Sequence, residues 1–216
     1  MAILDSVNWT KVRKHYDERI GVSNTLVRFY KQNSVEQFAE LALGLSGDGV
    51  GNYSAAEHHL GPKILYPDYN QNAKQRVFNL AGEFISLTDA RCVPDLIARA
   101  NLMYLKIGVG SEISCMMNPE VCWVANTRTI WTHLVIMHND SVQKAEEQLK
   151  LYRNAGGSSE MEYQAWATIH AELRVALTRI AEDGEAIAKR KNVVPGNIRY
   201  IWADAIASAL YDQYHD

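Results

Sequence analysis

Apolar positions recur at helical spacing along almost the whole chain. Asn33-Ser34-Val35-Glu36-Gln37 has the form of a helix start, with Ser34 as cap and Gln37 reaching back. Phe38, Leu41, Ala42 and Leu45 mark the face that follows, and the glycines of Ser46-Gly47-Asp48-Gly49-Val50-Gly51-Asn52 break it. Residues 61–70, GPKILYPDYN, read as a loop, and Gln75 to Leu87 as a second amphipathic helix. Pro94 suits the first turn of a third, running through Ile97, Leu102 and Tyr104 toward Leu105. Ile107-Gly108-Val109-Gly110 predicts a turn, then a short helix reaching Asn118-Pro119. Thr129 to His138 is helical, and Asp140-Ser141 opens a helix that stops at Asn154-Ala155-Gly156-Gly157. Ser158-Ser159 begins a long helix through Trp166, Ile169, Leu173, Leu177 and Ile180. After the loop from Asn192 to Asn197, Ile198 to Tyr211 is the last helix. The one candidate strand, Val121 to Ala125, is too short to found a sheet. The expected class is all-α: one helical domain over residues 1–216, or two helical lobes sharing a cleft, with a hairpin near 104–118.

The most informative stretch is YLKIGVGSEISCMMNPEVCWVANTRTIWTHL, Tyr104 to Leu134. A Gly-x-Gly turn between helices lets a ligand approach the backbone, because no Cβ stands in the way. The amides that follow open a helix N-terminus, where N–H groups and the helix dipole suit a phosphate. Ile107-Gly108-Val109-Gly110, followed by Asn118-Pro119 and Val124-Ala125-Asn126-Thr127-Arg128, resembles the hairpin and catalytic segment of the helix-hairpin-helix DNA glycosylase superfamily. About 30 residues carry the likeness, and the helical remainder is compatible with it.

The resemblance implies a glycosylase-like helical fold and double-stranded DNA with a modified or damaged base as partner. It casts Gly108, Val109, Gly110 and Ser111 as backbone-holding residues; Arg128, beside Asn126 at a helix start, is a further candidate DNA contact. Two departures bear on chemistry. Glu112 stands where bifunctional members carry a nucleophilic lysine, so the expected reaction is monofunctional hydrolysis that leaves an abasic site. Asn126 stands where the family has its catalytic aspartate, and an amide cannot act as a base. Three readings of Asn126 stay open. Catalysis has been lost and binding kept; Glu112 or Asp204 serves instead; or an aspartate has been exchanged to inactivate the protein.

Further residues fit a base pocket. Tyr200 and Trp202 open the last helix and suit stacking on an extruded base, with Asp204 reading its edge; Trp123 and Trp131 bracket Asn126. Each has a plainer reading as core, and Arg199 with Asp204 as a surface pair. Arg128 suits either a phosphate or a carboxylate held in place. A divergent chain of this kind suits a bulky, phage-type modified base, and hence antiphage defence as well as DNA repair.

Composition narrows the alternatives. The chain has 216 residues, 47% hydrophobic and 22% charged, with net charge −3. Such a total speaks against coating nucleic acid by bulk charge, not against a compact site. The N-terminal run is locally basic, with Lys11, Arg13, Lys14, Arg19, Arg28 and Lys31 interleaved with Tyr16, Phe29 and Tyr30. Cys92, Cys115 and Cys122 are too few for an iron–sulfur cluster or a disulfide framework, so a cytoplasmic monomer without cofactor is expected. No zinc or di-iron motif occurs, and His133 and His138 are five apart, the wrong spacing for two ligands on one face. The Ala56-Glu57-His58-His59 run lacks a partner motif. No apolar run is long enough for a membrane helix, and the N-terminus lacks the run a signal peptide needs. Two other classes remain: a catalytically inactive helical module binding nucleic acid or protein, and a haem or metal enzyme using His58, His133 or His170.

Overall fold

The computed structural model describes residues 2–45, 60–154 and 159–215. The glycine-rich break, the His58-His59 pair and the Ala155-Gly156-Gly157 stop lie outside the described residues. Helices make up the regular structure: α1 (Trp9–Lys31), α2 (Val35–Ala42), α3 (Gly61–Leu65), α4 (Ala73–Ile85), α5 (Val93–Ala100), α6 (Ile107–Met117), α7 (Thr127–Met137), α8 (Val142–Asn154), α9 (Ser159–Arg190) and α10 (Arg199–His215). No strand occurs among the described residues, and Val121 to Ala125 is irregular backbone leading into α7. The class is all-α. The chain divides into two compact units, one of Met1–Tyr16 with Trp123–Asp216 and the other of Asp17–Cys122.

In the unit of residues 17–122, α4 is the hub and touches α2, α3, α5 and α6. Its inner face carries Val77, Phe78, Ala81 and Phe84, spaced for one side of a helix. Phe78 stacks on Tyr30 at 4.7 Å and meets Phe38 edge-on at 5.4 Å. Asn118 closes the far end of α4, donating from Nδ2 to the carbonyls of Phe84 and Leu87, both at 3.0 Å. The Asn-Pro pair of the motif therefore has a structural duty. Ser34 precedes α2, yet its side chain makes no capping bond, contrary to the expected capping box. Part of the expected 61–70 loop is helical instead: Pro62 stands in the first turn of α3, and residues Asp68–Asn70 form a 3-10 turn.

In the other unit, α10 packs against α7 and α9, while α7 also touches α8 and α9. Helix α10 is buried continuously from Tyr200 to Leu210, on every face, as a central core helix is. Its start is fixed by Tyr16. The Tyr16 hydroxyl donates to Asn197 Oδ1 at 2.7 Å and accepts the N–H groups of Asn197 and Ile198, both at 3.2 Å. Gly196 is required there, since a Cβ would come within 2.4 Å of the Tyr16 ring.

Candidate functional site

Helix α5 ends at Asn101, whose φ of 48° closes the helix in the left-handed region that asparagine tolerates. Helix α6 begins at Ile107, after an extended Lys106. The Gly-Val-Gly run is thus the first turn of α6 rather than a turn between helices, because neither glycine needs a positive φ. This changes the roles expected of its residues. Gly110 N–H donates to the Lys106 carbonyl at 2.9 Å, so it is spent inside the helix. A Cβ at Gly110 would lie 2.4 Å from Ile97 Cδ1, so this glycine lets α6 settle against α5. Val109 and Ser111 are buried, and Glu112 is only 2% exposed. Gly108 is different. It is half-buried, and a Cβ there would meet nothing within 4 Å.

In the other unit, Asn126 is the N-cap of α7 and forms a complete capping box with Thr129. Its Oδ1 accepts the N–H of Arg128 at 3.0 Å and of Thr129 at 3.1 Å. The Thr129 hydroxyl in turn accepts the Asn126 N–H at 3.1 Å. Asn126 is therefore placed at a helix start, as the motif implies, with its side-chain oxygen occupied by backbone donors.

Arg128 points to a carboxylate that the sequence did not reveal. Its Nη2 lies 3.3 Å from Asp212 Oδ1, near the end of α10. Lys11 Nζ at 2.9 Å and His15 Nε2 at 3.2 Å, from the start of α1, reach Asp212 Oδ2. Burial pulls the Asp212 pKa upward. Hydrogen bonds from His15 and Lys11 and the charges of Arg128 and Lys11 outweigh it, and hold the carboxyl well below its ordinary range. Lys11 and His15 share a helix face at i, i+4, a signal legible in sequence; their partner, about 200 residues on, was not.

The rings expected to line a base pocket fill the core instead. Trp123, Trp131, Tyr200 and Trp202 are at most 5% exposed. Trp202 packs on Trp9 at 6.1 Å and on Tyr16 at 5.6 Å, and Trp123 packs on Tyr200 at 5.6 Å. Asp204 lies on the same buried stretch of α10, so the surface pairing with Arg199 does not hold, and reading of a base edge would need an opening there. His170 is fully buried, stacked on Trp123 at 5.0 Å, and neither ring nitrogen has a hydrogen-bond partner among the described residues. Burial pushes its imidazole down to about 4. His133 is lowered by burial, against the opposing charge of Glu172, and His138 Nε2 meets Gln148 Oε1 at 2.6 Å. Among the described residues, no group of His, Cys, Asp or Glu is placed to hold a metal ion, and no helix is long and apolar enough to cross a membrane. No protein-family model, curated protein or solved structure matches this chain.

Proposed function

We propose that the protein binds duplex DNA in the manner of the helix-hairpin-helix glycosylases, holding the phosphate backbone at the start of α6. The observation that carries this reading is Gly108. A glycine held in an ordinary helical conformation costs about 0.4–1 kcal/mol relative to alanine, through the extra freedom of the unfolded chain. Gly110 offsets that cost by close packing on Ile97, whereas packing and backbone conformation ask for no glycine at position 108. A ligand that must approach the backbone closely supplies the missing reason. The amides that open α6, before the first intrahelical bonds, are the donors for a phosphate there.

Base release is the second reading, and the cap at Asn126 favours it. Asparagine and aspartate cap helices about equally well. Position 126 would therefore accept a carboxylate with its contacts to Arg128 and Thr129 kept. The chain as it stands carries an amide there, so binding is assigned to it, and hydrolysis to an Asn126→Asp form. The test uses duplexes with damaged or bulky modified bases beside an unmodified duplex. Both forms should bind, and only Asn126→Asp should free a base. Failure of both forms to bind any duplex at low salt contradicts the proposal. Binding without release by either form removes the glycosidase reading and leaves the DNA-binding one.

A further inference from the structure

In the unit of residues 17–122, an open hollow of about 700 Å³ lies beside the start of α4, within the size range of small-ligand sites. Val35, Leu65 and Tyr66 give it apolar surface, and Asp68, Gln71 and Asn72 give it polar groups. Tyr66 and these three polar residues are all exposed. One buried side chain fixes the segment that carries them. Asn70 donates from Nδ2 to the carbonyls of Ile64 at 3.0 Å and Met103 at 3.1 Å, and its Oδ1 accepts the Met103 N–H at 2.9 Å. The stretch between α3 and α4 is thereby tied to the connection after α5. Asn72 is the N-cap of α4, yet its side chain makes no capping bond. The side chains of Asp68 and Gln71 have no hydrogen-bond partner either among the described residues. Three polar side chains thus border an apolar surface with their hydrogen-bonding capacity unspent.

The lining favours neither sign of charge. Its two charged residues, Asp68 and Lys74, are opposite, and Lys74 is itself matched by Glu36 and Glu40. An anion would meet Asp68 and find the one lysine already engaged. A cation would lie against that lysine, whose Nζ stands 5.9 Å from the Tyr66 ring. A wholly apolar ligand would leave the carboxylate and both amides unmatched. The fitting ligand is neutral, apolar on one face, and edged with groups that both donate and accept. The donors serve Asp68, which only accepts, and both kinds serve the amides of Gln71 and Asn72. A pyranose ring has this form, with C–H groups on its face and hydroxyls around its edge. We propose that the hollow binds a neutral saccharide, with Tyr66 packed on the sugar face and Asp68, Gln71 and Asn72 bonded to its hydroxyls. An open hollow suits successive units of a chain better than one enclosed ring, so an oligosaccharide is the expected ligand. The proposal uses neither Gly108 nor Asn126, so it stands or falls apart from the duplex reading.

An NMR titration of the backbone amides with maltohexaose, cellohexaose and chitohexaose tests it, each taken to about 10 mM. At least one should bind and shift the amides of residues 66–75. Tyr66→Ala should weaken that binding by about fivefold or more, and Asp68→Ala by about tenfold. Tyr66→Phe, which keeps the ring, should bind as the parent does, and so should Tyr214→Ala, an exposed tyrosine of the other unit. Affinity for a neutral ligand should stay constant from about 0.05 to 0.5 M salt, unlike that for a polyanion. These positions are exposed, and circular dichroism checks that each variant keeps its helices. The proposal is overturned if none of the three saccharides binds, if the shifts fall outside residues 66–75, or if Tyr66→Ala and Asp68→Ala bind as tightly as the parent. Shifts at these residues with spermine, decaproline or an oligothymidylate, but with no saccharide, would overturn it in favour of a cation, a peptide or a nucleic acid. Saccharide binding without duplex binding supports the hollow while contradicting the duplex proposal.

Discussion

Both units seal aromatic rings in their cores, Phe38 and Phe84 in one and three tryptophans in the other, but the first also carries a group of exposed tyrosines. In the unit built on α7, α9 and α10, Trp123, Trp131 and Trp202 are sealed in the core, at most 2% exposed. In the unit built on α4, Tyr66, Tyr69 and Tyr104 are between 40% and 58% exposed. Size explains part of the contrast, because an indole buries the most apolar area and repays a core most. Local backbone explains the rest. The tryptophans of α7 and α10 sit on helix faces that pack inward, while the tyrosines sit on connections beside Pro67 and the left-handed Asn101 and Tyr104. An aromatic residue near a suspected site is therefore weak evidence of contact with ligand. Place on a connection does not by itself expose a ring either, since Trp123, on the irregular stretch before α7, is sealed in the core.

The largest test of this contrast is deletion of matched rings. Trp131→Ala should cost about 3–5 kcal/mol in chemical denaturation. Tyr66→Ala should stay within about 0.5 kcal/mol of the parent. Comparable losses at both positions would erase the distinction.

Acid should separate the units next. His170 is neutral in the fold, with its pKa brought down by burial to about 4 from an ordinary 6.5. The unfolded chain thus binds the proton first, and stability present above pH 6.5 is lost as pH falls toward 4. The loss is on the order of 3 kcal/mol, and His170→Phe should flatten it in pH-dependent denaturation. Asp212 acts in the same direction at lower pH. Its folded pKa is depressed, so its contribution is present above the ordinary carboxylate value of 3.8 and is lost in stronger acid. At neutral pH, Asp212→Ala should cost about 2 kcal/mol, a figure reduced because Lys11 is 36% exposed and screened by solvent. Denaturation at low and high salt measures it, and an unchanged midpoint would show that Lys11, His15 and Arg128 do not need their shared carboxylate.

How much of this was legible in the sequence depended on the range of the interaction that fixes each feature. Helix α9 rests on a local signal, a sustained apolar period, and stands in the structure; the Asn126 cap also rests on a local pattern, Asn-x-x-Thr, but the sequence was read there for chemistry and not for capping. The Gly-Val-Gly run was legible as a glycine-dependent feature but not as a helix start. Only the approach of Ile97 to Gly110 shows that one glycine serves packing. The glycine at 108 gained its meaning by contrast with that neighbour. Asp212 and Asn70 escaped notice because their partners come from distant segments. Tyr66 and Tyr69 looked like ordinary loop residues, and Tyr104 like part of a helix that in the structure ends at Ala100, until the structure showed all three exposed.

The smallest energy change carries the central claim. Gly108→Ala removes a helix-weakening glycine where a methyl group meets open space, so the protein should gain about 0.5–1 kcal/mol. Gly110→Ala, pressed against Ile97, should lose about 1 kcal/mol and serves as the opposite control. The decisive measurement is duplex affinity of Gly108→Ala beside its stability. A variant that is more stable yet binds DNA at least about fivefold more weakly, a change of about 1 kcal/mol, is the predicted result. A variant that is more stable and binds DNA as tightly as the parent would contradict the claim that the start of α6 holds the DNA backbone.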